Sequence, residues 1–511
     1  MEFVDGAALI ALAIFVFITF RTAYRLYIDP LSKFPGPRLA AATRLYEFYF
    51  DIVKGGQYTF EIGRMHDEYG PIVRISPYEL HCNDPDFIDI LYAGGSQKRN
   101  KYSFFTRLFG NPQSVITTID HDQHRMRRAA LANFFSKTSV KKLEPLILRC
   151  VNLLCRQLEA NADTRRPVNL SDAFNCMTAD IVTQYSFSGG THFLDSPDFD
   201  PSFRGAINAA TSLGFTLKFF PWITPIMLSV PNSLVTRLSP ELRSFLQFQK
   251  DIKDEIIELK KGKAGTSISV KGHRTIFDEI LSGNLPEEEK SLERLWQEGQ
   301  IVVGGGTETA AWLLSVIVFH LLSNKEIHSR LEMELTQNIP DSDALPTSSE
   351  LQRLPYLGAV ISEGLRISYP VCTRLQRISP SAPMLYKSST RGKQDYVIPA
   401  GTPVGMSAGL LHMRPDIFPE PRKFRPERWL EQRDRQLDRC LLAFSKGSRG
   451  CLGINLAYAE IYLALAAVMR RFGSRMTLHD TVAENDIDMV RDRFNPGTKT
   501  DGGVRVLIGK V

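Results

Sequence analysis

Phe444-Ser-Lys-Gly447-Ser-Arg449-Gly-Cys451-Leu-Gly453, near the C-terminus, sets one cysteine in a glycine-punctuated loop with an arginine two positions before it. A long apolar run from Ile454 to Ala467 follows directly. A thiolate ligand to iron requires such a setting: sulfur at a loop tip, backbone free to approach the metal plane, and N–H groups near a helix start to stabilise negative sulfur. The ordinary alternative is a buried structural cysteine, since free cysteine is among the most buried residue types. The five fixed positions of Phe-x-x-Gly-x-Arg-x-Cys-x-Gly occur by chance in roughly one chain in several thousand, which sets Cys451 apart as the candidate metal ligand.

The chain has 511 residues and a hydrophobic fraction of 43%, ample for a sizeable core. Its seven cysteines, Cys82, Cys150, Cys155, Cys176, Cys372, Cys440 and Cys451, are scattered and never form a Cys-x-x-Cys pair. That pattern argues against a disulfide scaffold and structural zinc, and fits a reducing compartment. A formal charge of +6 is too mild and dispersed for nucleic-acid binding. It leaves an acidic protein or an anionic membrane surface as partners.

Residues 6–20, GAALIALAIFVFITF, are uncharged and mostly apolar. Glu2 and Asp5 stand where a signal peptide carries basic residues, and Arg21 and Arg25 follow the run, with Tyr24 and Tyr27 placed for an interface. The expectation is a single membrane anchor within residues 1–33 whose C-terminal side is cytoplasmic. Phe34-Pro-Gly-Pro37 cannot continue a helix and separates the anchor from one large domain over 34–511. Residues 71–90 alternate like strands broken by turns. From about residue 140 helical spacing dominates, as in Leu143, Leu146, Leu148, Val151, Leu154 and Leu158. The fold class expected is mostly α with minor β, with a linker-like stretch at Lys260–Gly272.

Ser291–Asn324 reads as one helix of roughly 50 Å, apolar all round from Ala310 to Leu322 and therefore buried. Its middle is Gly304-Gly305-Gly306-Thr307-Glu308-Thr309. Each interior glycine costs about 1 kcal/mol relative to alanine, so something must need the space. A flat cofactor against the helix would need it, and a local distortion there would let Thr309 and Glu308 handle water and protons. His124 and Arg128, four apart in a helix expected to run on to Phe135, share a face and can reach one anionic group. Arg125, Arg127, Lys137, Lys141 and Lys142 are expected to face an acidic partner instead. Glu363 and Arg366 lie three apart on one helix face, and Phe424-Arg-Pro-Glu-Arg428-Trp follows some sixty residues on. Residues 215–231, FTLKFFPWITPIMLSVP, suit either buried core or a membrane-dipping loop at the mouth of an apolar channel.

Taken together these elements resemble the cytochrome P450 family in order and spacing over residues 34–511. The cysteine stretch resembles its haem-binding signature. Residues 305–309 resemble its oxygen-activation sequence, departing at Ala310. Glu363-Gly-Leu-Arg366 and Arg428 resemble the buried Glu–Arg–Arg network behind the cysteine loop. The stretches FPGPRLAAATRLYEFYF and GQYTFEIGRMHDEYGPIVRIS are similar to fungal microsomal secondary-metabolism P450s of the trichodiene oxygenase-like type.

The resemblance implies haem b held by Cys451, Phe444, Gly453, Gly305 and Gly306, with propionates at His124, Arg128, Arg377 and Arg449. In it Thr309, supported by Glu308, delivers protons, and Glu363, Arg366 and Arg428 are structural. It further implies O2 and an apolar, terpenoid substrate, electrons from NADPH through a P450 reductase, and a single-pass anchor in the endoplasmic reticulum membrane with the catalytic domain cytosolic. Residues 100–118, including Phe104, Phe105 and Phe109, and the 215–231 loop are expected to line the pocket. Two rival classes are an isomerase or peroxygenase sharing Cys451 without a reductase, and a membrane-anchored binding protein without haem.

Overall fold

The computed structural model describes residues 2–162, 164–187, 189–199, 202–230, 242–261, 275–388, 394–431 and 435–510. Most of the Lys260–Gly272 stretch lies outside the described residues.

Helix α1, Glu2–Tyr27, is long and apolar enough to cross a membrane over Ala8–Tyr27, and none of that window is buried. Its arginines reach the globular part. Arg25 Nη1 donates to the Ala42 carbonyl (2.6 Å), Arg21 Nη2 to the Tyr78 hydroxyl (2.7 Å), and Arg74 Nη1 returns to the Arg25 carbonyl (2.8 Å). The C-terminal end of α1 is thereby tied to the globular part. The turn after it needs Gly36, where φ is 154° and a Cβ would collide with the Arg74 carbonyl.

Strands β1 (Ile72–Arg74) and β2 (Leu80–Cys82) pair antiparallel, as the 71–90 pattern predicts. They join β3 (Arg377–Ile378) and β4 (Pro403–Gly405) in a sheet of order β1-β2-β4-β3. Sequence-distant strands are thus brought beside the functional loop, and the remaining structure is mainly helical.

Helix α2, His121–Ala132, stops before Phe134 and Phe135, which lie in a turn ahead of α3, Lys137–Ala160. The expected continuation to Phe135 fails because Ser136 caps a new helix, its Oγ accepting from Ser139 N (3.2 Å). Helices α4 (Leu170–Ser186) and α5 (Ser202–Phe219) precede the central α6 (Leu292–Ser323), capped by Ser291 and ended at Asn324. Helix α4 lies along α6: Thr178 Oγ1 donates to the Thr307 carbonyl (3.1 Å) and Ser171 Oγ meets Ser315 Oγ (3.0 Å). Helix α7, Pro355–Ser368, crosses α6 where Gly364 lets the backbone approach Ile317. Helix α8, Ile454–Phe472, follows the Cys451 loop and is buried along most of its length.

One surface expectation needs correction, and the 215–231 stretch divides between core and surface. Arg127 is buried, its Nε and Nη2 pairing with Glu289 (2.7 and 2.9 Å), so it cannot face a partner; Arg125, Lys137, Lys141 and Lys142 are exposed. Phe215–Phe219 belong to α5, and Lys218 is buried there against Glu47 (2.8 Å) and Asp51 (2.6 Å). A charged residue amid those aromatics is fixed by carboxylates from a distant segment, which local apolarity did not reveal.

Candidate functional site

The Cys451 loop and the start of α8 form one wall of a deep cavity, and the Ile301–Leu313 face of α6 forms another. The space open to the centre of a water molecule is about 310 Å³. Cys451 N donates to the Phe444 carbonyl (2.8 Å), closing the loop over the motif's first aromatic. Gly447 has φ +70°, and a Cβ there would strike the Tyr92 and Ala93 carbonyls, so only glycine fits. Cys451 lies deep yet is open to the cavity. Burial pushes its thiol pKa up, while the Gly453 N–H and Arg128 favour thiolate, so a bound cation is needed to hold the ionised sulfur.

Lys101, His124, Arg128, Arg377 and Arg449 converge on this cavity. Their donors that have partners go to neutral oxygens: Arg128 to the Gly450 carbonyl (2.7 Å), Arg377 to the Gln376 carbonyl (2.9 Å) and Ser445 Oγ (3.3 Å), Lys101 to the Ile116 carbonyl. Arg449 is spent on four carbonyls, those of Arg99, Thr118, Ile119 and Asp120, and so holds the approach to α2 as well as facing the cavity. Burial first and mutual repulsion second depress this group: Arg449 falls to about 9, His124 to about 2, and Lys101 well below an ordinary lysine. Of the described acids lining the cavity, Glu298 is paired with Arg294, and burial pushes Glu460 far up, leaving it neutral. A buried positive cluster without counter-charge fits a dicarboxylate, and an open thiol facing it fits a metal; the two propionates and the iron of haem meet both demands.

Gly305 and Thr309 line the cavity, and a Cβ on Gly305 would meet open space. Gly306 also borders it, but its Cβ would sit 2.9 Å from Val182 Cγ2, so the space it yields is taken by α4. The expected distortion is absent: α6 is helical throughout, and Thr309 Oγ1 donates to the Gly305 carbonyl (2.9 Å). Glu308 does not line the cavity. It turns to α4, where it accepts from Asn175 Nδ2 (2.8 Å), and burial pushes its pKa up to about 7 against the pull of Arg204. Adjacent helical residues point about 100° apart, which separates the pair. Phe105 and Phe109 line the cavity, whereas Phe104 packs on Phe219 and none of the described side chains of residues 215–230 reach it; Pro231 lies outside the described residues.

Behind the loop Glu363 is fully buried and accepts from Arg366 (2.8 and 2.9 Å), Arg428 (3.1 and 3.2 Å) and Trp429 Nε1 (3.0 Å). His412 extends this network. Its Nδ1 donates to the Arg366 carbonyl (2.9 Å) and its Nε2 accepts from Leu442 N (2.9 Å), two residues before Phe444. Neither His412 nor Lys101 carries a motif that singles it out.

Comparison with known proteins agrees with this geometry. The model of the cytochrome P450 family matches residues 47–491. The chain is 43% identical over 458 residues to a cytochrome P450 monooxygenase of Cochliobolus heterostrophus, covering 90% of this chain and 86% of that one. It is 41% identical to a tryptophan 6-hydroxylase of Fusarium equiseti (98% and 96% covered) and 38% identical to the fusicoccadiene C-8 hydroxylase of Phomopsis amygdali (96% and 93%). The thiol at the tip of its loop, the unmatched cations around it and the sequence match agree: the chain belongs to the cytochrome P450 family and is a monooxygenase, an oxidoreductase that uses haem.

Proposed function

We propose that this protein is a membrane-anchored haem b monooxygenase that inserts one oxygen atom from O2 into an apolar, terpenoid natural-product intermediate, with electrons from NADPH through a P450 reductase. The observation that carries the reading is the placement of Cys451 and Thr309 on facing walls of one apolar cavity ringed by unmatched cations. When bound, haem supplies the activation of dioxygen, for which an electron-rich thiolate is the suited ligand. Cys451 would hold the iron, with the Gly453 N–H spreading the sulfur charge. Arg128, Arg377, Lys101 and His124 would hold the propionates, and Arg449 would fix the backbone between them.

Thr309 Oγ1 holds a proton at the cavity wall, placed by the Gly305 carbonyl. Glu308, protonated in part at neutral pH, stands as a proton reserve on the α4 side of the helix. Phe105, Phe109, Val115, Ile301, Leu375 and Phe494 exclude bulk water and suit an apolar substrate. The terpenoid reading leans on this lining and on the likeness to the fusicoccadiene hydroxylase.

An endoplasmic reticulum location with the domain cytosolic is supported by α1 and by exposed apolar residues of the globular part, including Trp222 (61% exposed) and Leu45 (70%). The exposed Arg125, Lys137, Lys141 and Lys142 suit an acidic reductase surface. The test is the spectrum of the reduced protein under carbon monoxide, in which thiolate ligation shifts the main band far to the red. Cys451→Ala abolishes that band; an unshifted band in the unaltered protein overturns the reading. Turnover with peroxide and none with NADPH and reductase would favour the peroxygenase alternative.

A further inference from the structure

The short turn Ser103–Thr106 carries Phe105 into the cavity wall, where its ring meets Phe109 (6.0 Å between centres) and Phe109 meets Phe494 (5.0 Å). The two aromatic residues just before Phe105 in this stretch, Tyr102 and Phe104, are buried and do not line the cavity. One guanidinium from a distant segment holds both. Arg44 Nη2 donates to the Tyr102 hydroxyl (2.5 Å), and the Arg44 guanidinium carbon lies 4.0 Å from the centre of the Phe104 ring. The turn is thereby fixed at two points immediately before the side chain that it presents to the cavity.

Arg44 forms no ion pair among the described residues, and its charge is met by ring faces instead: it also lies 4.6 Å from the centre of the Tyr78 ring. A planar guanidinium suits this place, because its faces stack on rings while its edge donates to a hydroxyl. Tyr78 is fixed in turn from α1. Its hydroxyl accepts from Arg21 Nη2 (2.7 Å) and Arg25 Nη2 (2.5 Å), and the Arg25 guanidinium carbon lies 5.0 Å from its ring centre. Arg25 Nη1 also reaches the Ala42 carbonyl (2.6 Å), two residues before Arg44. Side chains from separate stretches of sequence thus form one contiguous series, Arg21 and Arg25, Tyr78, Arg44, then Phe104, from the end of α1 to the back of the cavity wall.

We propose that Arg44 is a positioning residue for ligand binding: it sets Phe105 against a bulky apolar ligand, and Tyr78, held by Arg21 and Arg25, sets Arg44. The seating of α1 against the domain then tunes the affinity of the cavity. The ligand readout rests on the haem monooxygenase reading above, whereas the ordering of the turn does not. Loss of the stacked and hydrogen-bonded guanidinium at this half-buried place is worth about fivefold in affinity. A purely structural role would lower Tm and leave ligand affinities alone.

The experiment uses purified full-length holoenzyme and a pair of iron-ligating probes, bulky clotrimazole and small imidazole, each titrated by the ligand-induced shift of the haem absorption band. In Arg44→Met the Kd for clotrimazole rises about fivefold while that for imidazole is unchanged, and Arg44→Lys, which keeps the charge without the planar fork, does not rescue it. Tyr78→Leu raises the clotrimazole Kd about twofold to threefold and adds nothing in the Arg44→Met background, because its effect passes through Arg44. Unchanged clotrimazole affinity in Arg44→Met, equal losses for both probes, or independent effects of Tyr78 and Arg44 overturn the proposal. Should Arg44→Met fail to fold, Tyr102→Phe removes only the accepting hydroxyl, and an unchanged clotrimazole Kd there overturns it equally. A second measurement needs no haem: amide hydrogen exchange across residues 100–109 is faster in Arg44→Met and Tyr78→Leu, or in Tyr102→Phe, than in the unaltered protein, and unchanged exchange also overturns the proposal. A reduced carbon-monoxide spectrum without the red-shifted band would instead sink the haem-thiolate reading, leaving the exchange comparison to decide the role of Arg44.

Discussion

His412 is held to Arg366 by side chain and backbone together: its Nδ1 donates to the Arg366 carbonyl at 2.9 Å, while Arg366 Nη1 donates to the His412 carbonyl at 3.2 Å. The free ring nitrogen, Nε2, accepts from Leu442 N, so the ring must be neutral to serve both. Burial depresses its pKa to about 3, below the 6.5 of an unfolded histidine. Between those values the unfolded chain binds more protons than the folded one, so stability is full above about pH 6.5 and declines as pH falls toward 3. His66 and His320, each depressed to about 4, act in the same direction. Denaturant unfolding across pH 4–7 should show this decline, flatter in His412→Leu. That variant also strands the Leu442 N–H and the Arg366 carbonyl, at a cost of about 2–4 kcal/mol.

Glu363→Gln removes the one carboxylate between two buried guanidinium groups. Breaking a buried pair by deleting one partner typically costs roughly 3–5 kcal/mol, so the expected outcome is a large fall in Tm and in haem retained after purification. Retention of wild-type Tm and haem content would contradict a supporting role for this network.

Lys218→Met leaves Glu47 and Asp51 buried with one fewer counter-ion. Arg374 remains beside Glu47 (2.5 Å), while Asp51, already pushed up to about 6 by burial, loses its hydrogen-bonded cation. The expected loss is several kcal/mol, about 3–5, partly recovered in the double variant Lys218→Met/Asp51→Asn. Thermal unfolding of the set measures that coupling.

The consecutive glycines of α6 respond differently to alanine. Gly304→Ala adds a Cβ in open space and gains helix propensity, a stabilisation of about 0.5–1 kcal/mol. Gly306→Ala pushes into Val182 and loses that gain, and Val182→Ala in the same chain restores it. Tm values of the variants distinguish packing from propensity.

Thr309→Ala removes the hydroxyl at the cavity wall and should lower product formed per NADPH by roughly 10²-fold, with Thr309→Ser retaining most of it. Glu308 faces Asn175, Arg204, Arg493 and Asp172, and its pKa is raised from 4.5 to about 7. It is therefore protonated below that pH and ionised above it. Coupled turnover should fall as pH rises through about 7, and Glu308→Gln should remove that limb of the profile.

Much of the site is legible in the primary sequence because its elements are local. The glycine-rich Cys451 loop, the single buried helix from Ser291 to Asn324, and Glu363 three residues before Arg366 are each set by spacing along one segment, and the structure places them as that spacing implies. Tertiary structure alone decided what depends on distant segments. The turn of Glu308 toward Asn175, the four carbonyls that occupy Arg449, the arrival of His412, and the carboxylates that bury Lys218 all join residues more than 25 positions apart. A helix's own periodicity says which residues share a face, but only the neighbour packed against that face determines what each side chain meets.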